Sequence, residues 1–178
     1  LEDMAILRTL PGLNVVAPAD SRELVAQLRE ALDAPHPTYM RIGKKGEPGL
    51  HAENANLGIG KANLLRDGVD LLLLGVGPIL GEALQAAEAV SASGLSVAVA
   101  SLGGVKPLDG AFLEEMVRRF PRWLSLEEHG MTGGLGSALL EWLADHHPGS
   151  VTLRRLGVPD VFLHELGNQT YTRRQLGL

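Results

Sequence analysis

The chain has 178 residues, 45% of them hydrophobic and 21% charged, enough for one ordinary domain or one small domain plus a fragment. Its net charge of −5, without a long run of Lys and Arg, argues against nucleic acid as a partner. The absence of cysteine excludes disulfides and thiolate metal sites and accords with a cytoplasmic location.

The amino terminus opens on helical spacing over Glu2–Arg8, with Met4, Ile6 and Leu7 on one side. Leu1 is not Met, and the helical pattern is already under way, so the chain is expected to be a piece of something longer. Pro11-Gly12 is a turn, and Asn14–Ala17 reads as a short buried strand ending at Pro18. Asp20 is a helix N-cap, Glu23 lies in the first turn, and Leu24, Val25, Leu28 and Leu32 follow at helical spacing. Pro35 and Pro37 break the chain before a strand at Thr38–Ile42.

Gly43–Asn56 carries Gly43, Gly46, Pro48 and Gly49 with little apolar periodicity, and reads as a linker with a domain boundary near Asn54. Beyond it the pattern alternates. Strands are expected at Lys61–Leu65, Asp70–Leu74, Leu95–Ala100, Arg122–Leu126 and Val151–Leu156. Helices are expected at Pro78–Ser91, after the cap Asp109, at Leu135–Asp145 and at Thr170–Leu176. The fold class is therefore α/β, with a mainly parallel five-stranded sheet and helices on both faces. The longest apolar run, Leu71–Val76, is far short of the roughly 20 residues that cross a bilayer, so no membrane partner is expected.

Function in such sheets gathers at the carboxyl ends of strands. Gly75-Val76-Gly77-Pro78 completes no phosphate-binding motif and reads as a tight strand-to-helix turn. Glu127-Glu128-His129 leads into a glycine-rich turn with Gly133, Gly134 and Gly136. From spacing alone, Glu128 and His129 serve equally as an acid/base pair or as an interface contact. Arg41, Lys44 and Lys45 follow a strand and offer three cations to an anion, or form a solvated basic loop. The residues by themselves favour the loop. No His or carboxylate set has metal-ligand spacing.

Taken in order, these segments resemble the transketolase family. The resemblance rests on Val105-Lys106-Pro107-Leu108-Asp109, on Glu127-Glu128-His129 with Gly133-Gly134-Leu135-Gly136-Ser137-Ala138, and on Gly157-Val158-Pro159-Asp160. Gly58-Ile59-Gly60-Lys61-Ala62 is similar to the strand that opens the carboxy-terminal domain. Glu2–Arg8, Leu10-Pro11 and Pro18-Ala19-Asp20 look like the end of the pyrimidine-binding domain before it. The resemblance implies that residues 1–54 are the tail of a thiamine-diphosphate-binding α/β domain with its linker, and that 55–178 are the C-terminal domain.

It further implies a thiamine diphosphate and Mg²⁺ enzyme moving a two-carbon ketol unit between sugar phosphates, with its cofactor between two subunits. The Glu that activates the pyrimidine lies upstream of Leu1, so no catalytic residue is expected here. This chain alone is expected to bind no cofactor and to be inactive. Its partners are then the N-terminal transketolase domains, on the same or a separate chain, in a homo-oligomer expected to be a dimer.

The family's phosphate-binding Arg falls on Lys44, with Arg41 or Lys45 as substitutes. Since the C-terminal domain of transketolases is mostly structural, Glu128, His129, Gly133, Gly134 and Gly136 are expected at a subunit contact. There are two alternatives: part of a deoxyxylulose-phosphate synthase, which shares this layout, or a non-catalytic assembly or regulatory domain, which the lack of a complete acid/base or metal set favours. The β subunits of 2-oxo-acid dehydrogenases have the same layout, but His129 speaks against them.

Overall fold

In the computed structural model every residue is described except Lys45, Leu163, Glu165 and Leu166. Lys45, named above as a possible phosphate ligand, therefore lies outside the described residues. The elements run α1 (Asp3–Arg8), β1 (Asn14–Val16), α2 (Ser21–Asp33), β2 (Thr38–Met40), β3 (Asn63–Arg66), β4 (Leu71–Gly75) and α3 (Leu80–Ser91). They continue with β5 (Val97–Ser101), β6 (Gly104–Lys106), α4 (Gly110–Arg119), β7 (Arg122–Gly130), α5 (Leu135–His146), β8 (Thr152–Val158) and α6 (Gln169–Leu176).

Five strands form the main sheet in the order β3-β5-β4-β7-β8. The strands β5, β4, β7 and β8 are mutually parallel, and β3 closes one edge antiparallel to β5. The period of two along a strand splits the apolar side chains between two cores. Leu72 and Leu74 of β4 and Ala98 and Ala100 of β5 face Leu113 and Met116 of α4 and Leu135, Leu139 and Leu143 of α5. Leu73, Val97 and Val99 face Leu80, Ala83 and Ala87 of α3 on the other side. Both faces are covered, as the unbroken apolar runs require.

A second sheet has the order β2-β1-β6. The sequence gives no sign of β6, a three-residue strand that begins with glycine. Its antiparallel pairing with β1 joins the amino-terminal segment to the rest of the chain. Asp20 caps α2 as expected, accepting from Glu23 N at 2.9 Å. The buried face of this helix is nevertheless polar. Glu23 and Gln27 are its fully buried residues, while Val25, Leu28 and Leu32 are exposed. Helical spacing located the stripe, but not the side on which it would lie.

Gly68 shows how tightly β5 is approached. A Cβ there would meet the backbone of β5, Ala98 N and, at 2.5 Å, Val97 C. Main chain in a central strand cannot yield, so Gly68→Ala is expected to lower stability by about 1–3 kcal/mol. Gly49→Ala, with nothing within 4 Å, should change it by less than about 0.5 kcal/mol. Urea midpoints of the two variants check this, and equal midpoints would show that β5 yields.

Candidate functional site

The expected strand end after Leu126 is not an end. β7 continues to Gly130 beside β8, with Gly130 opposite Val158. Glu127, Glu128 and His129 are therefore strand residues, and the alternation sends Glu127 and His129 to one side and Glu128 to the other.

Glu127 is fully buried, and its carboxylate accepts from Leu135 N at 2.7 Å and Gly136 N at 2.9 Å. It satisfies the free N–H groups at the start of α5 from a neighbouring strand. Burial raises its pKa, against the pull of those two donors. Gly134 is the N-cap of α5, and a Cβ there would collide with Glu127 Oε2 and reach 2.7 Å from His129 Nδ1. A Cβ on Gly136 would meet Arg155 Cδ at 2.6 Å, and one on Gly133 would meet Ala5 Cβ at 2.7 Å. The three glycines are thus required by packing inside the chain.

His129 is also fully buried. Its Nε2 accepts from Ala5 N at 3.2 Å, so the proton lies on Nδ1, which donates to Gly130 O at 2.8 Å. Both nitrogens are spent on backbone, and burial lowers the pKa of the ring. Glu128 instead meets α6, with Arg173 Nε on Oε1 at 2.7 Å, Arg173 Nη2 on Oε2 at 2.9 Å and Gln169 Nε2 at 3.0 Å. The bidentate carboxylate raises the pKa of Arg173. Glu128 and His129 are not brought together.

Glu128 and Arg173 line a cavity of about 320 Å³ at the carboxyl ends of β4 and β7. Met4, Val76 and Leu176 supply apolar wall, Gly77 lies at the strand-to-helix turn, and Arg41 and Lys44 face in from the loop after β2. Arg41 has a carboxylate partner in Asp3 at 3.7 Å, itself held by Tyr39 Oη at 2.8 Å. Lys44 is exposed and has no ion-pair partner among the described residues. The sequence reading missed Arg173. Its only signal was the helix expected at Thr170–Leu176, which says nothing about where that helix docks.

Comparison with known proteins adds a family to this geometry. The family model described as transketolase, C-terminal domain, matches residues 60–173. A 6-deoxy-6-sulfo-D-fructose transketolase subunit from Clostridium sp. (strain MSTE9) is 35% identical over 178 residues, 100% of this chain and 54% of that protein. A 1-deoxy-D-xylulose-5-phosphate synthase from Geobacter metallireducens is 37% identical over 180 residues, 100% of this chain and 29% of that protein. Among solved structures, a split-gene transketolase described as an inactive β4 tetramer has a TM-score of 0.89 at 30% identity, covering 99% of this chain and 56% of that one. The chain thus spans about half the length of the transketolase subunit, and less of the synthase.

The His129 environment makes a pH prediction. A lowered folded pKa means that its contribution is complete above the ordinary value of 6.5 and is lost as the pH falls below it. The buried carboxylate of Glu127, with a raised pKa, acts in the opposite sense. Comparing wild type with His129→Asn cancels that background. The stability advantage of wild type should narrow between about pH 7 and about pH 5. A constant gap in urea melts at the two values would show that His129 is not held neutral.

Proposed function

As the chain belongs to the transketolase C-terminal domain family, we propose that it is the C-terminal portion or subunit of a thiamine-diphosphate-dependent transketolase that moves a two-carbon ketol unit between sugar phosphates. The observation that carries the substrate class is the loop with Arg41 and Lys44, held over the carboxyl ends of β4 and β7. Arg41 is committed to Asp3, which leaves Lys44 as the cation best placed to meet a phosphate. Lys45 stays in the proposal as a neighbouring charge.

The family is thiamine-diphosphate-dependent, but the residues of this chain do not suit the cofactor. Among the described residues no group of three His, Asp or Glu could hold a metal ion. Glu127 and Glu128 are saturated by backbone N–H groups and by Arg173. We therefore place thiamine diphosphate and Mg²⁺ in the rest of the enzyme, and propose that this chain alone is inactive.

The N-terminal transketolase domains are its proposed partners. The outward stripe of Val25, Leu28 and Leu32 on α2 supports this, since an apolar helix face is ordinarily covered. On this reading residues 1–54 complete the pyrimidine-binding domain and 55–178 are the C-terminal domain. We also propose that the corner containing Glu128, His129, Gly133, Gly134 and Gly136 lies at a subunit contact of a homodimer. His129, Gly134 and Gly136 are buried within the chain, so they shape this corner, and the exposed Thr132 beside Gly133 offers the touching surface. A sedimentation coefficient of a monomer for the assembled enzyme at every concentration would remove the dimer. We place the enzyme in the cytoplasm, supported by the lack of cysteine. No helix among the described residues is long and apolar enough to cross a membrane.

Similarity along the whole chain keeps a deoxyxylulose-phosphate synthase as the second reading. Assembly of this chain with the N-terminal half should give ketol transfer from xylulose 5-phosphate to ribose 5-phosphate, whereas the chain alone should give none. With pyruvate and glyceraldehyde 3-phosphate offered instead, formation of 1-deoxy-D-xylulose 5-phosphate with release of CO2 would select the synthase, and neither product would select a non-catalytic assembly domain. In the active enzyme Lys44→Ala should raise KM for phosphorylated substrates by about tenfold to a hundredfold with little change in kcat. That range reflects roughly 1.5–3 kcal/mol for a charge-assisted contact shared by ground and transition states. An unchanged KM, beside an Arg41→Ala variant that raises it, would move the role to Arg41.

A further inference from the structure

We propose that Asp20, together with His51, latches the returning end of the loop that carries Lys44, and that Asp20 is a positioning residue for phosphate binding. This deepens the reading of Lys44 given above and rests on it.

The loop leaves β2 at Arg41 and returns at Leu50. It holds Gly43, Gly46 and Gly49, and its described residues form no helix or strand. A segment of this kind loses much conformational entropy when it is placed, so its position depends on what holds its two ends. At the outgoing end, Arg41 N donates to Val16 O at 2.9 Å. Next to it, Gly43 lies so close to the turn before α3 that a Cβ would be 2.5 Å from Pro78 Cγ.

At the returning end two consecutive backbone N–H groups are held by one carboxylate. Asp20 Oδ2 accepts from Leu50 N at 2.7 Å and from His51 N at 2.8 Å. Asp20 Oδ1 accepts from Glu23 N at 2.9 Å and caps α2. Capping alone needs one acceptor, which Ser, Thr or Asn also supplies. Two acceptor oxygens, one for the helix and one for the loop, require a carboxylate. Burial works against ionisation of Asp20, but the three N–H donors and His51 outweigh it and hold the pKa at about 2.

The latch continues inward. The His51 side chain is fully buried, with Nδ1 3.1 Å from Asp20 Oδ2 and Nε2 3.6 Å from Glu23 Oε1. These are close approaches without hydrogen-bond alignment. Arg22 Nη1 donates to His51 O at 2.6 Å. Glu23, fully buried, accepts from Ala19 N at 2.7 Å and from Ser101 Oγ at 3.1 Å. Ser101 ends β5, so the foot of the loop is tied through Glu23 to the main sheet. The loop is therefore fixed against the same sheet that carries Glu128, which lines the cavity together with Lys44.

Asp20→Ser separates the two jobs. The hydroxyl keeps the helix cap and removes the second oxygen. Amide exchange on the full chain should show Leu50 and His51 exchanging about tenfold faster or more, with α2 amides within about twofold of wild type. In the enzyme assembled with its N-terminal half, KM for the sugar phosphate should rise by about tenfold while kcat stays within about twofold. Asp20→Asn, of nearly the same volume, presents an amide N–H either to the loop or to the helix end, and should release one of them. It serves as the test if Asp20→Ser fails to fold. Wild-type protection of Leu50 and His51 in both variants would overturn the latch. So would an unchanged KM in both variants when Lys44→Ala raises it. An unchanged KM in Lys44→Ala itself would instead bring down the phosphate reading, and exchange at Leu50 and His51 would still decide whether Asp20 holds the loop.

Discussion

A carboxylate taken out of water must find donors, and Glu127 finds them at the start of a helix. Two N–H groups of α5 that no intrahelical carbonyl can reach are answered by an acid on β7. The arrangement fixes helix and strand together and decides which residues can lie nearby. The position between them, Gly134, has no room for a side chain. The strand's alternation then determines the rest of the corner. His129 shares Glu127's side and reaches α1, while Glu128 turns away and receives Arg173 from α6. One strand register thus distributes three polar residues to three different helices.

Seen this way, a run of two acids and a histidine at a strand end is weak evidence for catalysis. A general base needs a free lone pair directed at a substrate, and His129 has given both nitrogens to backbone. Its neutral tautomer is fixed by what surrounds it. Glu128 borders the cavity, but its oxygens are held by a guanidinium and an amide. The cation without an ion-pair partner among the described residues that line this cavity is Lys44, on a loop that composition alone makes look like solvent-exposed linker.

Much of the fold was legible because long apolar runs and caps are local signals. Asp109 announced α4 and accepts from Phe112 N at 3.0 Å, as an N-cap should. The runs at β4 and β5 announced a sheet covered on both faces. What was not legible depends on distant partners. β6 is three residues long and exists because β1 lies beside it. β7 extends through polar residues because β8 continues to pair with it and α5 supplies donors. The polar inner face of α2 has a cause that lies far along the chain, in Ser101 and Gly103. The Asp20-to-Glu23 spacing signals a capping pair, but the second oxygen of Asp20 has its use 30 residues away.

Gly43–Asn56 has the composition of a linker, but composition says nothing of its mechanics. Polar ties cross from the first segment to the second at several separate places. Lys106 Nζ donates to Arg8 O at 3.1 Å and to Leu10 O at 2.6 Å, Ala5 N donates to His129, and Gln27 Nε2 donates to Gly103 O at 2.8 Å. With the pairing of β1 and β6, these ties leave the amino-terminal segment little freedom to move against the main sheet. A loop strung between two parts that cannot shift is held by its ends, however many glycines it contains. Its stiffness then depends on those few end contacts, and the Asp20 carboxylate supplies two of them. This is why a buried acid that forms no ion pair with Lys44 is nonetheless placed to govern where that lysine sits.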